Sequence, residues 1–180
     1  SAAEKPTSHP KLSIVLISNA QELADKLESL VPEYDCIIHA MAVADYTPLY
    51  MTSLDEVEQT HPVSQLLENR NTEAKISSDK DVQVLFLKRT PKIISSVKKW
   101  NPNIKLIGFK LLVGVSKEEL LKVARQSLLK NKADYILAND LLDINSSQHK
   151  AYLVSAQDVF QAGTKEEIAH LIYEKAVQND

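Results

Sequence analysis

The sequence predicts an α/β protein built on a doubly wound, mostly parallel sheet flanked by helices, ending in a β-hairpin and a closing helix. Three observations predict it. Short apolar runs of strand length alternate with segments whose apolar residues recur at helical spacing. Tyr34–Ala40 (YDCIIHA) is nearly continuous in apolar residues, as a strand buried on both faces of a parallel sheet must be. Finally, 180 residues that are 44% hydrophobic and 25% charged suit one globular domain, residues 1–180, with a sizeable core.

The elements follow in order. Lys11–Ile17 is a short run containing β-branched residues and reads as a strand. Ser18 and Asn19 can cap the helix expected over Ala20–Leu30. Tyr34–Ala40 is the expected central strand. Residues 41–70 lose periodicity around Pro48 and Pro62, with short helices expected over Leu54–Gln59 and Val63–Asn69. A connection this long is uncommon inside a compact domain, and the stretch from about 46 to 80 reads as a flap. Alternation then resumes with a strand over Val82–Leu87, a helix over Lys92–Trp100 after Pro91, and a strand over Lys105–Leu111. A helix over Ser116–Asn131 and a strand over Asp134–Asn139 follow. Ser116 with Glu119, and Thr164 with Glu167, have capping-box spacing. Lys150–Ser155 and Val159–Gln161 form the hairpin, and Thr164–Val177 the closing helix.

Composition excludes several functions. The 21 Lys and Arg against 24 Asp and Glu leave a formal charge of −3, so no basic face for nucleic acid is advertised. The apolar runs fall far short of the roughly 20 residues that span a bilayer. The polar, proline-containing opening is no signal peptide. One cysteine, Cys36, cannot form an internal disulfide, and no Cys and His spacing resembles a zinc site; a reduced, cytoplasmic setting is expected. Glycine is scarce: the chain has 3, at Gly108, Gly114 and Gly163, where average usage of about 7% would give roughly a dozen. Neither a P-loop nor a dinucleotide fingerprint can be built from them.

Open α/β sheets bind ligands at the carboxyl ends of their strands. Those ends are His39–Asp45 (HAMAVAD), Thr90–Ile94 (TPKII), Gly108–Lys110 and Ala138–Asp140. Ala40, Ala42 and Ala44 would let a ligand approach the backbone, and Asp45 either offers a carboxylate at the rim or caps the next turn. His39 reads as a core or edge histidine, Asn139 and Asp140 as a strand-end turn, and Lys98, Lys99, Lys117 and Glu118 as solvated helix faces. Pro91 at a helix start leaves backbone N–H groups that can hold phosphate without glycine.

Taken together, AVADY at 42–46, AKISS at 74–78, TPKII at 90–94, IGFK at 107–110 and ADYILAND at 133–140 resemble phosphopantothenoylcysteine synthetase across nearly the whole chain. The pattern is most similar to the stand-alone form of streptococcus-like bacteria rather than the form fused to a decarboxylase. The resemblance implies a Rossmann-like, dimeric ligase of coenzyme A synthesis that joins 4'-phosphopantothenate to cysteine through an acyl-nucleotide. The nucleotide is CTP or, in its place, ATP, accompanied by Mg²⁺, for which no ligands are assigned. It also implies nucleotide contacts at His39, Ala40, Met41, Ala42, Asp45, Lys75, Pro91, Lys92, Ile93, Ile94 and Phe109. Joining a carboxylate to an α-phosphate brings two anions together, and Lys75 is the candidate catalytic cation. Ser127 and Asn131 stand where CTP users of this family tend to carry lysines, with Lys130 beside them. Family members begin with a further strand and glycine-rich turn, so these residues read as an N-terminally incomplete ligase, inactive alone. A non-catalytic nucleotide-binding or interaction domain is the alternative.

Overall fold

The computed structural model describes residues 9–69 and 81–178. Five strands form the main sheet in the order β1 (Cys36–His39), β4 (Lys105–Leu112), β5 (Tyr135–Ile144), β6 (His149–Val154) and β7 (Val159–Ala162). The numbering leaves room for β2 (Tyr46–Ser53) and β3 (Gln83–Arg89), which pair with each other in an antiparallel arm outside that sheet. The pairs β1–β4 and β4–β5 are parallel, whereas β5–β6 and β6–β7 are antiparallel. Four of the five strands therefore run the same way, and only β6 is reversed.

Strand alternation sorts the core into two layers. On one face Leu106, Ile136, Ala138, Tyr152 and Val154 pack under Val97 of α3 (Ile94–Trp100) and under Leu120, Ala124 and Leu128 of α4 (Lys117–Asn131). On the other face Ile107, Leu137, Ala151 and Leu153 pack under Ile168 and Ile172 of α5 (Lys165–Val177). The period of two and the helical spacing of the covering residues are the patterns read from the sequence. Burying each large aliphatic side chain in these layers contributes about 1.5–3 kcal/mol. The doubly wound α/β architecture, the terminal hairpin and the closing helix are all present.

Both N-cap bonds expected from the capping-box spacing form. Ser116 Oγ accepts the Glu119 N–H at 3.2 Å, and Thr164 Oγ1 accepts that of Glu167 at 3.1 Å. The Glu167 carboxylate reaches back to the Gly163 N–H at 2.7 Å.

The structure corrects several expectations. Lys11–Ile17 is not a strand: it pairs with no other segment among the described residues, and Leu12, Ile14, Val15 and Leu16 are exposed. β propensity describes how a side chain fits a pleated surface, and no neighbouring strand supplies one here. The segment over Tyr34–Ala40 is shorter, Cys36–His39, and lies at the border of the described sheet, with Ile38 exposed. Its apolar content came from packing on the faces, which does not report how many strands flank it. Tyr46–Ser53, read as part of an irregular flap, is a regular strand because β3 supplies its ladder; the expected α2 (Leu54–Gln59) and a short 3-10 helix over Val63–Glu68 follow it. The rest of that proposed flap, residues 70–80, falls outside the described residues. Lys98 is not solvated either: it is tucked against Asp134 at 2.8 Å, and that carboxylate also accepts the Leu106 N–H at 2.7 Å. Lys117 lies over the Tyr152 ring, 4.9 Å from its centroid.

Candidate functional site

Strands β1 and β4 run parallel with His39 beside Gly108, so their carboxyl ends open on one rim. From β1 the chain runs out through 40–45 into the arm and returns at Thr90. The two crossings are fastened together, since the Thr90 N–H donates to the Asp45 carbonyl at 3.0 Å and the buried Thr90 hydroxyl donates to the Ala44 carbonyl. That clamp fixes where Asp45 and Pro91 stand relative to the sheet.

A cavity of about 530 Å³ lies at this rim, on the face covered by α3 and α4. Its size is that of a small-molecule site. His39, Met41, Ala42 and Asp45 line it from the β1 side, Pro91, Lys92, Ile93 and Ile94 from the turn into α3, and Phe109 from β4. Ala40 is exposed and does not line it, and Lys75 lies outside the described residues. The helix after Pro91 begins at Ile94, later than expected. The Ile93 N–H closes a turn onto the Pro91 carbonyl, so the junction offers side chains more than a row of free N–H groups.

Reading strand ends alone missed one wall. Val123, Gln126, Ser127, Lys130 and Asn131 of α4 also line the cavity. Their spacing of three and four residues puts them on one mostly polar stripe of the helix, on which the family resemblance had singled out Ser127, Lys130 and Asn131. Asn131 is buried, accepting from the Ser95 hydroxyl at 2.7 Å and donating to the Ser127 carbonyl at 2.8 Å. This network ties the start of α3 to the end of α4 across the floor of the cavity.

The electrostatics favour an anion. Among the described residues Asp45 is the only acidic one lining the cavity, against Lys92, Lys110 and Lys130. Lys92 pairs with Asp45 at 3.3 Å, and both side chains are well exposed, so the pair is weak. Lys110 and Lys130 have no ion-pair partner among the described residues. Burial pushes the His39 pKa down, so its ring is neutral and available as a donor or acceptor. No cluster of three or more His, Cys, Asp or Glu suited to a metal occurs among the described residues.

Within β5, the Asp140 carboxylate accepts N–H groups from Val115 at 2.7 Å, Leu142 at 2.8 Å and Gly114 at 3.0 Å. Those bonds hold its pKa down, Val115 first. Asp140 thus latches the loop between β4 and α4, and since β5 runs on to Ile144, Asn139 and Asp140 do not form the strand-end turn expected from the sequence. Asn139 faces His149, with Nδ2 and Nε2 3.3 Å apart.

Residues 60–179 match the family model described as the DNA/pantothenate metabolism flavoprotein C-terminal domain. The chain is 28% identical over 163 residues to the coenzyme A biosynthesis bifunctional protein CoaBC of Thermococcus kodakarensis, covering 88% of this chain and 35% of that protein. It is likewise 28% identical to the protein of that name from Methanocaldococcus jannaschii, again spanning 35% of its length. The chain thus spans about a third of the curated relatives it matches. Among solved structures, the DNA/pantothenate metabolism flavoprotein from Streptococcus pneumoniae superposes with a TM-score of 0.89 at 52% identity, covering 97% of this chain and 76% of that one. The C-terminal domain of a CoaBC protein superposes at 0.60 with 21% identity, a likeness of fold.

Proposed function

Because this chain belongs to the DNA/pantothenate metabolism flavoprotein C-terminal domain family, we propose that it carries the phosphopantothenate–cysteine ligase activity of coenzyme A biosynthesis. The observation that carries the reading is the convergence of Asp45, the Pro91–Ile94 turn and Phe109 on one cationic cavity at the strand ends. The coenzyme A biosynthesis role named for the CoaBC relatives supports it.

In the proposed reaction the carboxylate of 4'-phosphopantothenate attacks the α-phosphorus of CTP, forming an acyl-cytidylate and expelling pyrophosphate. The amine of cysteine then attacks the acyl carbon and expels CMP. The backbone at 39–41 and the small side chain of Ala42 admit the nucleotide closely, and Asp45 with Lys92 contacts its polar edge. Phe109 and the apolar turn at Ile93 and Ile94 line its base and ribose. Lys110 and Lys130 offset phosphate charge from the sheet and from α4. Lys75 is the candidate cation for the moment when carboxylate and α-phosphate meet. Mg²⁺ would be carried largely by the triphosphate, since such ions need only one or two protein carboxylates and Asp45 is the one lining this cavity. A homodimer working in the cytoplasm completes the proposal.

Cysteine-dependent pyrophosphate release by the natural protein, with CTP and ATP compared, tests this reading. Lys75→Gln is expected to lower turnover by on the order of 100- to 1000-fold, the effect of removing one preorganised contact to developing charge. Turnover within about threefold of the parent, a barrier change well under 1 kcal/mol, would remove Lys75 from the mechanism. Pyrophosphate release that ignores cysteine would remove the ligase itself.

A further inference from the structure

A second cavity, of about 570 Å³, lies across the Thr90–Pro91 turn from the first, between the base of the arm and the start of α1 (Ala20–Leu30). Lys88 and Arg89 line it together. Neighbouring residues of a strand ordinarily face opposite ways. Here β3 ends at Arg89 and turns into Thr90 and Pro91, and both cations border the same space. No acidic residue lines this cavity, and neither cation has an ion-pair partner among the described residues. In a chain with more acids than bases, two adjacent exposed cations with no carboxylate partner among the described residues suit an anionic ligand.

The hydrogen-bond donors agree with that reading. Asn19 caps α1 by accepting the Glu22 N–H through its side chain at 2.9 Å and the Leu23 N–H through its carbonyl at 3.1 Å. The N–H groups of Ala20 and Gln21, both beside the cavity, are left over. Glu22, the first acid of the helix, is turned back onto the Ser18 N–H and hydroxyl at 2.9 and 2.6 Å. Thr47, opposite Lys88 in the arm, adds a hydroxyl.

We infer that this second cavity is a phosphate subsite, in which Arg89 grips two phosphate oxygens and Lys88 adds a point charge. The assignment of its occupant rests on the ligase reading, whose reaction involves two phosphate-bearing groups besides the α-phosphate. One is the 4'-phosphate of the acid substrate, and the other is the pyrophosphate that leaves. The subsite itself stands on the charges and donors alone.

The test is an amide NMR titration of this chain and of its Lys88→Gln/Arg89→Gln variant with 4'-phosphopantothenate, pantothenate, pyrophosphate and CMP. The amides of Ala20, Gln21 and Thr47 are expected to shift with at least one of 4'-phosphopantothenate and pyrophosphate, and not with pantothenate. The double variant should weaken that binding tenfold or more, and Lys88→Arg, which keeps Arg89 and both charges, should retain it within about threefold. Both positions are exposed, so an unchanged spectrum of the free variant verifies its fold. Loss confined to 4'-phosphopantothenate assigns the site to the substrate, and loss confined to pyrophosphate assigns it to the leaving group. Native-like binding of both by the Gln variant, or shifts that bypass Ala20, Gln21 and Thr47, would overturn the subsite. CMP reads the other cavity: if it leaves Ala42 and Phe109 unmoved while phosphate ligands still shift Ala20, the ligase reading fails and the subsite survives.

Discussion

Gly108→Ala probes how tightly the core is coupled to the cavity. Gly108 sits in β4 beside His39 of β1, where a Cβ would come to 2.7 Å from Ile94 Cδ1 and 2.9 Å from Ile136 Cδ1. Both distances are below any real carbon–carbon contact, so at least two methyl groups must move. They are not equally free. Ile94 is half-buried at the edge of the cavity and can rotate its terminal methyl into it, whereas Ile136 is fully enclosed. Overpacking a core costs about 1–3 kcal/mol. Replacing glycine by alanine recovers about 0.4–1 kcal/mol by restricting the unfolded chain. The net expectation is a loss of about 1–2 kcal/mol, read as a lower midpoint in urea unfolding with an unchanged slope. Because relief comes from Ile94 moving into the cavity, nucleotide affinity should fall as well. Ile136→Val alone should cost about 0.5–1.5 kcal/mol, yet combined with Gly108→Ala it removes the enclosed one of the two clashing methyls, so the double variant should lose less than the sum of the single losses. An alanine variant as stable as the parent, or a strictly additive double variant, would refute this packing argument.

Other expectations test the site and its supports. The Asp140 pKa is held down in the folded state, so its contribution is complete above the ordinary carboxylate range and is lost as pH falls through the folded value. The stability gap between the parent and Asp140→Asn should therefore be wide at neutral pH and narrow in acid; urea midpoints with an equal gap at both would contradict the latch. His39 has the opposite charge logic: burial lowers its pKa, protonation favours the unfolded chain, and its influence is felt as pH drops below the ordinary histidine value. NMR titration of its ring should give a midpoint below the ordinary histidine value. Asp45→Asn breaks only an exposed ion pair and should change stability by less than about 1 kcal/mol while weakening nucleotide binding; a large loss of thermal stability would recast Asp45 as structural.

Much of the fold was legible because the relevant signals are local. The caps Asn19, Ser116 and Thr164 start their helices where side-chain chemistry predicts. The alternation of Ile136, Leu137 and Ala138 between two core layers follows from strand geometry alone. The candidate site was legible for a similar reason: parallel strands end on one rim, so residues after β1, after β3 and within β4 could be expected to meet. Lys11–Ile17 and Tyr46–Ser53 resisted the same logic, because a strand exists only if a partner offers its backbone groups. The first has β-branched residues and no partner among the described residues, while the second has Pro48 and finds one in β3. Ser127, Lys130 and Asn131 of the α4 wall were named through the family resemblance, but the bond that ties Asn131 to Ser95 from 36 residues away required the tertiary structure. Amino-acid sequence determined the type and caps of most elements and the rim at which they converge. Pairing, the face on which the cavity opens and the groups left unpaired around it were decided by tertiary packing, because they depend on contacts between segments far apart in the chain.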